Sequence, residues 1–152
     1  MSTYVITGGC GFIGSYVIKE LLKSTATDIF IYNIDKMGVG SSKENIVEDK
    51  RVENHFIDIS NDEHWRLHMS NPLDFINRRI DYVIHLAAES HVDRSIDNPL
   101  SFAYSNLIGT AKVLELVKKH KARLVHVSTD EVYGHLGKDD PPFTEESPLA
   151  PR

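Results

Sequence analysis

Three glycines at three-residue spacing, Gly8, Gly11 and Gly14, are the residues with the most chemical content in the first part of the chain. They stand between a short apolar run, Tyr4-Val5-Ile6, and an amphipathic segment with Ile13, Val17, Ile18, Leu21 and Leu22 on the side expected to be buried. A glycine turn between strand and helix makes a cradle for a pyrophosphate. Gly8 permits the tight turn, Gly11 lets backbone approach the ligand, and Gly14 lets the helix pack closely on the strand. The helix N-terminus supplies unpaired N–H groups and a positive dipole. Such a cradle calls for an acid about 20 residues further on, at the end of the second strand, to hold an adenosine ribose. Asp35 follows the apolar run of residues 29–34 and meets that requirement. An accidental glycine turn is the competing reading. Strand, helix and acid in register weigh strongly against it.

Those residues need a frame, and the chain reads as alternating strands and helices. Strands are expected at 3–7, 29–34, 52–57, 82–86 and 124–127. A helix is expected over 12–23. Ser60 and Glu63, three apart, form a capping box for a helix beginning near Asn61. Asn71-Pro72 interrupts that helix and caps a second short one through Ile76. Asn98-Pro99 opens a long helix to residue 119, with Leu100, Ala103, Tyr104, Leu107, Ala111, Leu114 and Val117 on one stripe. From Gly134 the chain is polar and proline-rich, hence loop-like. Near-continuous apolar strands belong in a parallel sheet covered on both faces. Right-handed crossovers then give a Rossmann-type, doubly wound α/β fold of about five strands in the order 3-2-1-4-5, with ligand at the carboxyl ends of strands one and four.

Composition narrows the class. The chain has 152 residues, 41% hydrophobic and 26% charged, which suits one globular domain. Net charge is −5, and the one basic cluster, Lys118-Lys119-His120-Lys121, closes the long helix where cations suit the dipole. No nucleic-acid partner is expected. No apolar run reaches membrane-spanning length and no signal peptide is read, so no membrane partner is expected either. A single cysteine, Cys10, points to a reducing, cytoplasmic setting. At a helix N-terminus its thiol could be acidic; a small spacer in the glycine loop is the better reading. His64 and His68 lie one helical turn apart without a third ligand, so no metal site is expected.

Two further runs, His85-Leu-Ala-Ala-Glu-Ser-His-Val-Asp-Arg-Ser95 and Ser128-Thr-Asp-Glu-Val-Tyr-Gly134, make the chain resemble the nucleotide-sugar 4,6-dehydratases of the extended short-chain dehydrogenase/reductase family. The dTDP-glucose and UDP-glucose enzymes are the types it most resembles. The resemblance implies a hydro-lyase: C4 of the sugar is oxidised by NAD, water leaves across C5–C6, and the hydride returns at C6. It implies Asp130 as the acid for the C6 hydroxyl, Glu131 as the base for C5, and Thr129 as hydrogen-bond partner of the C4 oxygen. To serve as an acid, Asp130 must hold its proton, which burial or the neighbouring carboxylate favours. A solvated acidic pair capping a loop is the bland alternative for Asp130-Glu131. The resemblance also assigns the cofactor site. Gly8, Gly11, Phe12, Ile13 and Gly14 form the pyrophosphate loop, and Asp35 and Lys36 sit at the adenosine ribose. Asp58 and Ile59 lie on the adenine side; Leu86, Ala87 and Ala88 line the nicotinamide side, with Ser90 toward the sugar. Asn106 stands near the nicotinamide end. Asp35 accepts from ribose hydroxyls and repels a 2′-phosphate, which favours NAD over NADP. Gly109, unfavourable in a helix by about 1 kcal/mol, marks close packing.

The chain departs from the family pattern in two places. Met37-Gly38-Val39-Gly40-Ser41 replaces a Leu-Thr-Tyr-like run after Asp35-Lys36. The family's redox base, a Tyr with Lys four residues later, has one match here, Tyr32 and Lys36, which lies across a strand end rather than on a helix. The true pair is expected beyond Pro148-Leu-Ala-Pro-Arg152. Residues 1–152 are therefore read as an incomplete NAD-binding domain of a truncated chain without its C-terminal substrate domain, and inactive alone. Strand five becomes an exposed edge, and the homodimer interface of relatives is expected to be at most half present. A short NAD-binding module or sensor, and a nucleotide-sugar epimerase or decarboxylase of the same family, are the alternative readings.

Overall fold

The computed structural model describes residues 1–24, 28–64 and 79–151. The five strands are β1 (Ser2–Thr7), β2 (Ile29–Ile34), β3 (Val52–His55), β4 (Tyr82–His85) and β5 (Arg123–His126). They form one sheet in the order β3-β2-β1-β4-β5, every pair parallel. The helices are α1 (Phe12–Ser24), α2 (Val92–Asp97), α3 (Pro99–Phe102) and α4 (Thr110–His120).

Period-two alternation sorts the strand side chains onto two faces. Ile6, Ile29 and Ile31 pack with Ile18 of α1 and Val47; Val5, Tyr32, Ile34 and Val83 pack with Val113 and Leu116 of α4. Pairing aligns Thr7 with Ile34 and His85, Ile34 with His55, and His85 with His126. That row is the carboxyl edge of the sheet, and every segment with chemical content leaves from it.

Some expectations change. β3 ends at His55, two residues early: Phe56 is exposed, while Ile57 and Ile59 enter the core from the following loop. Asn61, not Ser60, caps the next turn, its Oδ1 accepting from Glu63 N and His64 N. The short helix expected around Asn71-Pro72, and His68 with it, lie outside the described residues. Ile13 of α1 is exposed, and Ile18 is the deepest apolar side chain of that helix.

The expected helix over residues 99–119 exists but is not uniform. Ala103–Gly109 is π-helical between α3 and α4. Its apolar stripe is also inverted. Leu100, Tyr104, Leu107 and Leu114 are exposed, while Ser105, Gly109, Val113 and Leu116 face the sheet. Small residues face inward because a Cβ on Gly109 would stand 2.8 Å from Ile59 Cγ1. Residues 134–151 contain turns but no helix or strand, as expected. β5 is an edge strand with Val125 exposed on it and Val127 just beyond. Among the described residues, no helix is long and apolar enough to cross a membrane.

Candidate functional site

A cleft of about 340 Å³ opens at the carboxyl edge where β2, β1 and β4 end. Its lining includes Gly8, Gly11, Phe12, Ile13 and Gly14 from the glycine loop, and Asp35 and Lys36 from β2's end. Ile59 closes one side, and Leu86, Ala87, Ala88 and Ser90 close the β4 side. Twelve of the residues assigned to the site by sequence therefore meet in one place.

The glycine loop has the form that a pyrophosphate needs. Gly8 takes φ +77°, and a Cβ on Gly14 would lie 2.2 Å from the Gly8 carbonyl oxygen. Only glycine lets α1 start this close to the loop. Cys10 is fully buried within it. Burial pushes its thiol pKa up, and the Asp35 carboxylate adds to that, so the spacer reading holds and an acidic thiol does not.

Asp35 is 5% exposed and holds three donors. Cys10 N–H donates to Oδ2 at 2.9 Å, while Met37 N–H and the Ser41 hydroxyl both donate to Oδ1 at 2.8 Å. Ser41 comes from a strap laid on the glycine loop. Ser41 bridges Gly11, and Ser42 N–H and Asn45 Nδ2 both donate to the Cys10 carbonyl, at 3.0 and 3.1 Å. Lys36 does not point into solvent beside Asp35. Its Nζ pairs with Glu89 Oε1 at 2.8 Å, joining the loop after β2 to the loop after β4. Tyr32 is buried in the sheet, which removes it as a partner of Lys36 in redox chemistry.

Glu89 is a buried carboxylate with two cations: Lys36, and Arg94 at 3.4 Å. Asn106 grips its backbone reciprocally, accepting from Glu89 N at 2.8 Å and donating to Glu89 O at 2.9 Å. Asn106 thus acts on the cleft through Glu89 and is not part of the lining. Asp58 is also outside the lining, its Oδ1 accepting from Ser60 N and Oγ. His64, one of the two histidines weighed as ligands, accepts Asp58 N–H at Nδ1. Among the described residues no group of three metal-ligating side chains exists.

Below the cleft lies a buried polar column. His85 is 1% exposed, with Nδ1 2.6 Å from Thr7 Oγ1 and Nε2 2.9 Å from Thr110 Oγ1. Thr7 Oγ1 also accepts Ala87 N–H at 3.2 Å, so the column fixes the cleft floor. Burial, with the stacked His126 ring, pushes the His85 pKa down to about 4. Thr7, His85, Ser41 and Asn45 are working parts that sequence reasoning missed. Glu89 and His85 stood inside the quoted motif, and Ser41 stood at the departure after Lys36.

Thr129, Asp130 and Glu131 leave the same edge beyond β5 but are exposed. Asp130–Tyr133 is one 3-10 turn, capped by Thr129 Oγ1 accepting from Glu131 N. The following chain folds back on it: Tyr133 packs on Phe143, and Ala150 N–H donates to Val132 O at 3.0 Å.

Comparisons with known proteins agree with this architecture. A family model described as GDP-mannose 4,6 dehydratase matches residues 5–152. The chain is 38% identical over 164 residues to the dTDP-glucose 4,6-dehydratase of Neisseria meningitidis serogroup B, covering 99% of this chain and 44% of that protein. It is 36% identical over 152 residues to the enzyme of that name from Mycobacterium tuberculosis, covering 97% and 42%. The chain thus spans less than half the length of the curated relatives it matches. Among solved structures, a Bacillus anthracis dTDP-glucose 4,6-dehydratase in complex with NAD superposes with TM-score 0.78 at 35% identity, covering 100% of this chain and 45% of that one. A UDP-Glc/GlcNAc 4-epimerase from Campylobacter jejuni superposes with TM-score 0.80 at 30% identity, covering 100% and 44%. Fold similarity alone does not separate a dehydratase from an epimerase.

Proposed function

The chain belongs to the GDP-mannose 4,6-dehydratase family, and from that premise we propose that it is the N-terminal, NAD-binding part of a nucleotide-sugar 4,6-dehydratase acting on dTDP-glucose or UDP-glucose. The observation that carries this reading is the common sheet edge. It delivers the glycine loop, Asp35 and the Thr129-Asp130-Glu131 turn to the same side of the molecule. The residues present fit the dinucleotide: the cradle at Gly14 is one that a Cβ would fill, and a buried carboxylate stands at the adenosine end. Bound NAD would supply a hydride acceptor at C4 of the sugar and a hydride donor at C6.

The remaining work falls to side chains. Asp35 would bind the adenosine ribose; its charge disfavours a 2′-phosphate, and Lys36 is committed to Glu89 instead of compensating it. Ala87 and Ala88 would let the nicotinamide end lie against backbone. Thr129 would hydrogen-bond the C4 oxygen. Glu131 would take the C5 proton and Asp130 would protonate the departing C6 hydroxyl. The Tyr–Lys pair at four-residue spacing within the 152 residues, Tyr32 and Lys36, spans the end of β2 with Tyr32 buried and Lys36 paired to Glu89, so it would not take the C4 hydroxyl proton. The exposed apolar row Leu100, Tyr104, Leu107 and Leu114 supports packing against a second copy, as a homodimer. The single, reduced Cys10 supports a cytoplasmic setting.

Calorimetric titration of the 152-residue chain tests the binding part: NAD binds and NADP binds more weakly. No C4 oxidation of dTDP-glucose or UDP-glucose follows. Failure to bind NAD, or turnover by these residues alone, overturns the assignment. Product analysis of the protein expressed from its native gene tests the reaction. A 4-keto-6-deoxy sugar supports the dehydratase reading, and a C4 epimer replaces it with an epimerase.

A further inference from the structure

We propose that the Ser41 hydroxyl is a stand-in for a ribose hydroxyl at Asp35, so that Ser41 sets both the affinity and the selectivity of the adenosine end. The inference rests on the NAD reading for its ligand class, a nucleotide with a free ribose diol.

The acceptor count at Asp35 leads to it. A carboxylate offers about four acceptor positions. Cys10 N–H takes one on Oδ2, while Met37 N–H and Ser41 Oγ–H fill Oδ1. One position is left, and a ribose diol brings two donors. Only one of the two hydroxyls can therefore be read unless a donor leaves. Two of the three present donors are backbone groups. Cys10 N is fixed in the glycine loop, and Met37 N belongs to a residue held at φ +55°. Ser41 Oγ needs only a rotation about one side-chain bond to leave.

The strap keeps its place when that hydroxyl turns away. Its attachments are the Gly11–Ser41 bridge, Ser42 N–H to Cys10 O, Asn45 Nδ2 to Cys10 O, and Ser41 N–H to Gly38 O at 3.1 Å; none uses Ser41 Oγ. Gly38, Val39, Gly40 and Ser41 line the cleft, so the hydroxyl stands where the nucleotide must come. Its 2.8 Å contact is of the kind that a ribose hydroxyl would make with the same oxygen. Exchanging one hydroxyl for another yields little net gain. In a chain without the Ser41 hydroxyl, the ribose would instead fill an empty acceptor position. The same removal costs the ligand-free protein a hydrogen bond to a buried carboxylate.

The test is titration of ADP and NAD into the wild-type chain, Ser41→Ala and Ser41→Thr, with thermal unfolding of each free protein. Ser41→Ala is expected to unfold at a lower temperature yet bind ADP and NAD about tenfold more tightly, the size of one hydrogen bond to a charged group. Ser41→Thr keeps the hydroxyl and binds as wild type. The ligand side gives a second reading. Wild type is expected to lose affinity for only one of 2′-deoxy-ADP and 3′-deoxy-ADP, whereas Ser41→Ala loses about tenfold with each. Ser41→Gly, which also lacks the hydroxyl, gives the same gain should Ser41→Ala fail to fold. ADP binding that is unchanged or weaker in both hydroxyl-free variants overturns the role of Ser41 and leaves the NAD reading standing. Absence of ADP and NAD binding in every form overturns both.

Discussion

At the end of β2 a carboxylate is 5% exposed and holds three donors; beyond β5 two carboxylates stand in solvent on a single 3-10 turn. Both ends belong to the same sheet edge and the same proposed reaction. They differ in what surrounds them. The β2 end lies between the glycine loop, the strap over residues 38–45 and the loop after β4, all within the described chain. Among the described residues, the β5 end has a neighbouring strand on one side only, and its covering comes from the segment that returns through Phe143 and Ala150. The proposed recognition of the nucleotide thus falls to the first strands. The Thr129-Asp130-Glu131 turn, to which the acid–base roles are proposed, is delivered to the edge and stands exposed there.

The sharpest way to break that contrast is at the well-built end. Gly14→Ala would put a methyl 2.2 Å from the Gly8 carbonyl oxygen and 2.8 Å from Gly9 Cα. Both neighbours are backbone, so α1 or the loop must move. A loss of more than about 3 kcal/mol is expected, with no measurable NAD binding. Urea unfolding and calorimetry check it. Near-wild-type stability would mean that the loop is softer than its packing implies.

Midway between the two ends, His85 should report acid. Its pKa is about 4 in the folded chain against 6.5 for the ordinary group. The unfolded chain therefore takes the proton first as pH falls. The contribution is complete above about pH 6.5 and is lost as pH falls toward about 4, on the order of 3 kcal/mol in all. Carboxylates add to acid unfolding, so the clean measurement is a difference. His85→Gln should flatten the stability profile between pH 6.5 and 4 relative to wild type. Parallel profiles would remove His85 as the source.

A smaller effect is expected where the β2 end is tied to the loop after β4. Asn106→Ala removes both hydrogen bonds to the Glu89 backbone. A loss of about 1–2 kcal/mol is expected, with NAD affinity several-fold lower because Glu89 anchors Lys36. Unchanged affinity would show that the Lys36–Glu89 tie does not shape the cleft.

The same contrast governs what could be read in the sequence. Strand order, the register of Asp35 with the glycine loop and most of the cleft lining follow from apolar runs, glycine spacing and motif, because each is a local pattern. The stripe expected to be buried on the long helix is exposed for a physical reason. Large apolar residues at 3.6-residue spacing normally mark the buried face. Here α4 and the π-helical segment approach the sheet through Ser105 and Gly109, and Leu100, Tyr104 and Leu107 are left outside. Gly109 was the available signal, since a helical glycine four residues from a serine suggests close packing. The wiring at Asp35, by contrast, depends on where a strap lands, and neither spacing nor propensity carries that information.

The smallest expected effect is the one that most directly tests the exposed end. Asp130→Asn and Glu131→Gln each remove a charge that touches little: the described contacts of that turn are the Thr129 cap, the 3.4 Å approach of Thr129 Oγ1 to Asp130 Oδ1, the Tyr133–Phe143 ring contact and backbone bonds. Stability should stay within about 0.5 kcal/mol of wild type, and NAD affinity of the 152-residue chain should not change. Thr129→Ala, which removes the cap, should destabilise by about 1 kcal/mol and so exceed both. That order, with the cap above the carboxylates, is expected only if the acidic pair is not engaged by the rest of the fold. A loss of 2 kcal/mol or more in Asp130→Asn would show that the turn is held by its carboxylates, and the two ends of the cleft would then be alike in construction.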